Sequence, residues 1–228
     1  MRLSDWTWEQ WTEPLLLSLR IALIASVIVL ALGTLVAWLM TKKPLRGALW
    51  LETLFMLPLV LPPTVVGFLL LVVIGRRGLA GKAYEWLFGQ PVIFTWMAAV
   101  IAAVIVAFPL VYQTMKNGFA AVDKHLVEAA RSAGASEWQV FRHISLPLAS
   151  RSLMTAYLLG FARSLGEFGA TLMVAGNIPG VTQTTPTAIY VAVESGNMGL
   201  AWAWTGAIVL VSFVMLYLTG RRSDRLDK

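Results

Sequence analysis

The amino-acid sequence predicts an all-α polytopic membrane protein of about five transmembrane helices, with a helix-turn-helix loop on the cytoplasmic face. Three observations lead there. Hydrophobic residues make up 58% of the 228 residues and charged residues 13%, whereas a soluble domain carries about 25% charged residues; the mean hydropathy is +0.72. Five apolar runs, at 15–41, 48–75, 92–115, 148–175 and 199–220, are each long enough to cross about 30 Å of hydrocarbon. One polar island, 121–147, lies between the third and fourth runs and must therefore sit at a membrane face. No internal repeat of 20–50 residues is visible, and a single domain over 1–228 accounts for the chain. There is no cysteine, which excludes disulfides, thiolate metal sites and a cysteine nucleophile.

Residues 1–14 carry Trp6, Trp8 and Trp11 among Asp5, Glu9 and Glu13, and indole rings favour the headgroup level, so the segment is expected to be interfacial. Its basic start is thin and no small-residue cleavage site follows, which argues against a signal peptide. Orientation follows from Lys and Arg. Lys42, Lys43 and Arg46 after the first run, Lys116, Lys124, Arg131, Arg142 and Arg151 around the island, and Arg221, Arg222, Arg225 and Lys228 at the C-terminus place twelve basic residues on one side. Arg2, Arg76, Arg77 and Lys82 place four on the other, with Arg20 and Arg163 inside or at the edge of spans. The expected topology is N-terminus outside, with island and C-terminus cytoplasmic. The net charge of +6 then reports loop orientation rather than a nucleic-acid partner.

The second run contains Pro58, Pro62 and Pro63 in LPLVLPPTVVG (57–67). Each proline removes a backbone donor and bends a helix, and in lipid such breaks persist where neighbouring helices or a water-lined path satisfy the freed carbonyls. Two readings stand: a bent helix lining a translocation path, or a kink kept for packing. Glu52, near the start of the run, reaches the interface and needs no special role. Residues 75–91 are expected to be an outer loop. Its GlyLeuAlaGlyLys is no phosphate loop, because Arg76 stands where glycine is required and Ala83 replaces Ser or Thr. Its basic residues suit either an acidic external partner or simple solvation.

The island reads as two short helices. Asp123 is a good N-cap for a helix to Ala133, and Gly134 supplies the left-handed residue that closes it. Ser136 opens the second helix, to about His143, with Gln139 completing a capping box; Pro147 ends that helix or begins the next element. Apolar Trp138, Phe141 and Ile144 on the second helix are expected to anchor it to a partner. A DNA-reading helix-turn-helix is excluded, since the flanking spans leave no room for a free-standing three-helix core.

In the fourth run Arg163 and Glu167 are four apart, on one helical face. Charges at that depth usually face a bundle interior or an aqueous cavity, so the pair either lines a path or gate or ties helices together; the two roles are compatible. Ala162, Ser164, Gly166, Gly169 and Ala170 allow close helix contact. The last outer segment, 176–199, is rich in Pro, Gly and Thr and is expected to be a loop with a short interfacial helix over about 187–194.

These residues carry a family resemblance. Glu128, Ala129 and Ala130, then Gly134, then Ile144, Leu146 and Pro147 resemble the signature loop of ABC-importer permeases, the element that couples to the ATPase. With LPLVLPPTVVG, ARSLGEFGATLMVAGNIPG (162–180) and TTPTAIY (184–190), the chain resembles, over about 15–220, the permease subunit of molybdate ABC importers. Sulfate/thiosulfate permeases are near neighbours, and tungstate is an alternative cargo. The resemblance implies a type I ABC-importer permease fold and a multi-pass protein of the bacterial inner membrane. It implies a permease homodimer on two ATP-binding cassette ATPase subunits, fed by an external oxyanion-binding protein. ATP and magnesium would sit on the ATPase, with no cofactor or metal on this chain and no nucleic-acid partner. Arg163, Glu167, Pro58, Pro62 and Pro63 are the candidates for the path or gate.

Two other classes fit less well. A self-sufficient channel or secondary transporter usually places its ionisable site near the midplane between repeats, and neither is legible here. An intramembrane enzyme needs a nucleophile with a base or a metal site, yet His125 and His143 are the only histidines and lie on the island with no carboxylate cluster at ligand spacing.

Overall fold

The structure, a computed structural model, describes residues 8–42 and 47–226. Arg2, Asp5, Trp6, Lys43, Arg46 and Lys228, used above to read the membrane interface and orientation, lie outside the described residues. The described residues form helices joined by turns and loops, with no strand among them. α1 (Trp8–Lys42) is one continuous helix of 35 residues. It begins before the apolar run and passes through Pro14, so Trp8 and Trp11 form its first turns.

α2 (Ala48–Val60) and α3 (Pro63–Ile74) replace the expected second span, and the chain turns by 117° between them. Leu61 and Pro62 are both extended, with ψ of 144° and 138°. The residue before a proline is pushed out of the α region, so Pro62 and Pro63 together force two non-helical residues. Pro63 then opens α3 at a first-turn position where its missing N–H costs nothing. Pro58 does not end a helix: α2 runs through it. The break therefore belongs to Pro62 and Pro63 alone. α4 (Leu79–Phe88) occupies what was expected to be an outer loop. A Cβ on Gly81 would sit 2.0 Å from the Gly75 carbonyl oxygen, so the Gly-rich 75–81 stretch serves a tight α3–α4 corner.

α5 (Trp96–Ala120) is the centre of the bundle and packs against α1, α2 and both helices of the fourth apolar run. The island forms α6 (Lys124–Ser132) and α7 (Glu137–Val140), which continues through a π turn at Phe141–Ser145 into α8 (Leu146–Leu148). The fourth run divides into α9 (Ser150–Leu165) and α10 (Gly169–Ala175), bent by 60°. α11 (Thr185–Glu194) and α12 (Met198–Leu226) complete the described chain. α1, α5 and α12 are each long and apolar enough to cross a membrane, and the two bent pairs bring the number of spans to as many as five.

Small residues set the close approaches. A Cβ on Gly33 of α1 would lie 2.7 Å from Val111 Cγ1, and one on Gly160 of α9 would lie 2.9 Å from Val111 Cγ2. Val111 of α5 is thus gripped between two glycines where α1, α5 and α9 meet. Ala98, Ala99, Ala102, Ala103 and Ala107 along α5 are all buried. In lipid there is little hydrophobic drive between helices, so contact depends on such close packing.

Candidate functional site

Two regions collect the residues singled out by sequence. The first is the meeting of the two helix breaks. A Cβ on Gly169, at the start of α10, would lie 3.0 Å from Pro63 Cβ and 3.3 Å from the Thr64 backbone nitrogen. On the facing helix, a Cβ on Gly67 would lie 2.7 Å from Met173 Cβ and 2.8 Å from Ala170 Cα. α3 and α10 therefore pack through reciprocal glycines, and the proline break of one bent pair abuts the break of the other. Pro62 and Pro63 are exposed, while Pro58 is partly buried within α2, away from the break.

Glu167 stands inside the second break, between α9 and α10, rather than on a continuous helix as the i,i+4 spacing suggested. Its Oε1 accepts a hydrogen bond from the Ala170 backbone N–H at 2.8 Å, capping α10. Its Oε2 lies 2.7 Å from Arg163 Nη1, with side-chain exposures of 1% for Glu167 and 26% for Arg163. That contact is an ion pair without hydrogen-bond alignment. The carboxylate is thus sealed in the protein and occupied twice, by a helix end and by a guanidinium. Arg163 is the partner that reaches open space.

The second region is the island. Asp123 caps α6, accepting from the His125 N–H at 2.9 Å. Gly134 has φ +85°; its N–H donates to the Arg131 carbonyl and the Ala135 N–H to the Ala130 carbonyl, both at 3.0 Å. This is a Schellman closure, with glycine at the left-handed position. Ser136 and Gln139 form the expected capping box. α6 has no buried residue: Glu128 and Ala129 are exposed and Ala130 half-buried, so the helix projects from the bundle. Ile144 and Leu146 are half-buried and Pro147 is exposed at the start of α8.

One expectation for the island fails. Phe141 does not face outward as a partner anchor; it is buried, with its ring 4.5 Å from that of Trp38 on α1 and 6.1 Å from that of Phe119 on α5. Phe141 opens the π turn, and its ring fills the space between Trp38 of α1 and Phe119 of α5. Trp138 remains exposed over more than half its surface.

Three contacts were not legible from sequence. Glu137 accepts from Arg131 through two nitrogens, at 2.8 and 3.2 Å, and lies 3.4 Å from Lys42 Nζ. The hydrogen bond from Arg131 and then Lys42 hold the Glu137 carboxyl below its ordinary value. Glu52, given no role above, pairs with Lys116 at 2.6 Å and ties α2 to α5. Phe55 of α2 adds ring contacts to Phe108 and Tyr112. These pairs place Lys42, Lys116 and the island at one end of the bundle. At the opposite end Ser18 Oγ accepts from the Thr185 N–H at 2.7 Å, and the Trp204 indole donates to the Trp11 carbonyl at 3.0 Å. Among the described residues no group of three or more His, Cys, Asp or Glu is placed to hold a metal.

Residues 29–228 match the family described as binding-protein-dependent transport system inner membrane component. The chain belongs to that family. Relatives of this inner membrane component include YvgM of Bacillus subtilis (strain 168), provisionally named a molybdenum transport system permease protein, at 59% identity over 92% of each chain. The molybdenum transport system permease protein ModB of Escherichia coli (strain K12) is 41% identical over 96% of this chain and 93% of its own. The sulfate transport system permease protein CysT of the same strain is 32% identical over all of this chain and 85% of its own. Among solved structures, a bacterial ABC transporter involved in alginate import has a TM-score of 0.78 at 15% identity, covering 97% of this chain and 82% of that one. The MetNI methionine ABC transporter in an inward-facing form has a TM-score of 0.71 at 16% identity, covering 97% of both. These two establish a shared fold, the ABC-importer permease fold that the resemblance implied.

Proposed function

We propose that this chain is the permease subunit of a molybdate importer: it forms the membrane path for the oxyanion, while a separate subunit hydrolyses ATP. The observation that carries the cargo is the 59% identity to a relative named for molybdenum transport, against 32% to a sulfate permease. Tungstate matches molybdate in shape and charge and remains the closest competitor; sulfate follows.

In this reading the island is the dock for the ATPase. Glu128, Ala129, Ala130, Gly134, Ile144, Leu146 and Pro147 form it, and the absence of buried residues on α6 supports a surface left open for a partner. Small Ala129 and Ala130 allow a groove to close on the helix, and exposed Trp138 supplies the large anchor such interfaces favour. The path is assigned to the meeting of the two breaks, with Arg163, Glu167, Pro58, Pro62 and Pro63. Pro62 and Pro63 make the break, and Pro58 belongs to the helix leading into it. Arg163, half-open to its surroundings and tethered to a sealed carboxylate, offers a cation that an oxyanion can approach. The assembly is a permease homodimer on two ATPase subunits that hold ATP and magnesium, supplied by an external oxyanion-binding protein. This chain contributes no ATPase chemistry, cofactor or metal. The N-terminus is outside and the island and C-terminus are cytoplasmic.

The test is uptake into proteoliposomes containing the chain with its ATPase and binding protein. Labelled molybdate should enter only with ATP and binding protein, and excess tungstate should compete far better than excess sulfate. Preferential competition by sulfate would reassign the cargo, and uptake without ATP would remove the chain from this class of transporter function. A reporter active only in the cytoplasm should work when fused after Lys228 and be silent in 76–90; the reverse would overturn the orientation.

A further inference from the structure

α1 touches the island at one end and the opposite face of the bundle at the other, without a break between them. At the island end, Trp38 packs its ring 4.5 Å from Phe141 and 6.4 Å from Trp138. Lys42 Nζ lies over the Trp38 ring at 3.5 Å and reaches Glu137 at 3.4 Å. Glu137 is in turn held by Arg131 of α6. The last two turns of α1 therefore hold the second island helix directly and α6 through Glu137, although neither is joined to them in sequence. At the far end Thr185 donates its N–H to Ser18 Oγ at 2.7 Å and its hydroxyl to the Pro14 carbonyl at 2.9 Å, and all of this is buried. Trp204 of α12 donates to the Trp11 carbonyl.

We infer that α1 is a transmembrane lever, and that Trp38 is the positioning residue through which movement of the island reaches α11 and α12 at the outer face. The inference rests on the island being the ATPase dock. Its physical basis is stiffness: 35 residues of continuous helix at 1.5 Å per residue give a rod of about 52 Å, longer than the hydrocarbon is thick. The other routes out of the island are weaker conductors. The chain leaves it through α5, which runs unbroken from Ala120 back to Trp96 but carries Pro109 in its interior, and through α9, which is broken at 166–168 before it reaches the outer face. Between Ser18 and Trp38 α1 has neither a proline nor a break, and its two terminal attachments differ in kind. The outer one is made of buried hydrogen bonds, which fix a position. The inner one is made mostly of ring contacts, with the Lys42–Glu137–Arg131 charges at its exposed edge. Exposed ion pairs contribute little by themselves, so the rings, and Trp38 above all, carry the link.

The test uses the whole chain assembled with its ATPase in proteoliposomes, with the external binding protein and molybdate supplied. Trp38→Ala should leave ATPase co-purification and basal hydrolysis unchanged, while molybdate uptake and its stimulation of hydrolysis fall at least about fivefold, the lower end of what coupled sites show. Trp38→Phe, which keeps a ring against Phe141, should restore both. Ser18→Ala, at the far attachment, should give the same split between intact hydrolysis and lost uptake. Lys42→Met, which keeps the apolar stem and removes the charge, should have a smaller effect, and it guards against a folding defect in the Trp38 variant. Full uptake with Trp38→Ala would overturn the lever while leaving the dock intact. Loss of ATPase co-purification in Trp38→Ala and Lys42→Met alike would show that Trp38 only shapes the dock, and would also overturn the lever. A wild-type chain that binds no ATPase would remove the dock and the lever together.

Discussion

Gly134 offers a clean separation of backbone cost from side-chain cost. It closes α6 with φ +85°, and a Cβ built there meets no atom within 4 Å. Any penalty for a larger residue must then come from the dihedral angle and not from a clash. An ordinary L residue in the left-handed region costs about 1–2 kcal/mol, while asparagine tolerates it. Gly134→Asn should therefore be nearly silent and Gly134→Ala should cost about 1 kcal/mol. Gly134→Val, β-branched, should cost about 2 kcal/mol or more. At 1.4 kcal/mol per factor of ten, 2 kcal/mol lowers the closed-to-open equilibrium constant of the turn about 30-fold. The apparent affinity of an ATPase that binds only the closed turn falls by up to the same factor. Membrane insertion should be normal, because the residue lies outside every span. Titrating the ATPase subunit onto the chain in lipid nanodiscs reads the affinity directly, and the predicted order is glycine and asparagine, then alanine, then valine. If asparagine were as harmful as valine, the loss would have to come from side-chain contact with the partner, and the turn argument would fail. If valine were harmless, the island would not need its left-handed closure to dock.

Three further outcomes follow from the geometry. Glu167→Gln keeps an oxygen to cap α10 but removes the charge facing Arg163, so the chain should assemble while uptake falls; Glu167→Ala loses the cap as well and should impair assembly, since loss of a helix cap costs about 0.5–2 kcal/mol. Full uptake by both Glu167→Gln and Arg163→Gln would take the pair out of the mechanism. Gly67→Ala puts a Cβ 2.8 Å from the Ala170 backbone, an overpacking expected to cost about 1–3 kcal/mol; thermal unfolding in detergent should show a lowered midpoint, and an unchanged one would mean that α3 and α10 do not hold this contact. Glu137 has a depressed carboxyl pKa, with the Arg131 hydrogen bond as its largest cause, so its stabilising contact is complete above the ordinary carboxylate value of about 4.3 and is lost only as pH falls below it. ATPase binding should therefore show no Glu137-dependent step between pH 8 and about 5.5, and a midpoint in that window abolished by Glu137→Gln would contradict the pairing.

The sequence by itself determined what depends on local chemistry and on the solvent around each stretch. Apolar runs of sufficient length demand helices across lipid, because no other single-chain element satisfies its own backbone there. Asp123, Gly134 and the Ser136–Gln139 box fixed the ends of the island helices, since capping is decided within a few residues. Pro62 and Pro63 announced a break for the same reason. Its sharpness did not follow: two consecutive extended residues turned a bent span into a 117° corner, while Pro58 was absorbed in α2. Helical spacing put Arg163 and Glu167 on one face, but only the tertiary structure placed Glu167 in a break, capping α10.

Contacts between distant parts of the chain were decided by the tertiary structure alone. That Gly169 meets Pro63, that Lys116 finds Glu52, and that Phe141 turns inward to Trp38 are consequences of which helices stand side by side. In a membrane that choice cannot be read from hydropathy, because lipid and protein interior are almost equally apolar and every face of such a helix looks alike in sequence. Close packing at glycines and pairing of the few charges make the selection, and both need two partners that only the folded chain brings together.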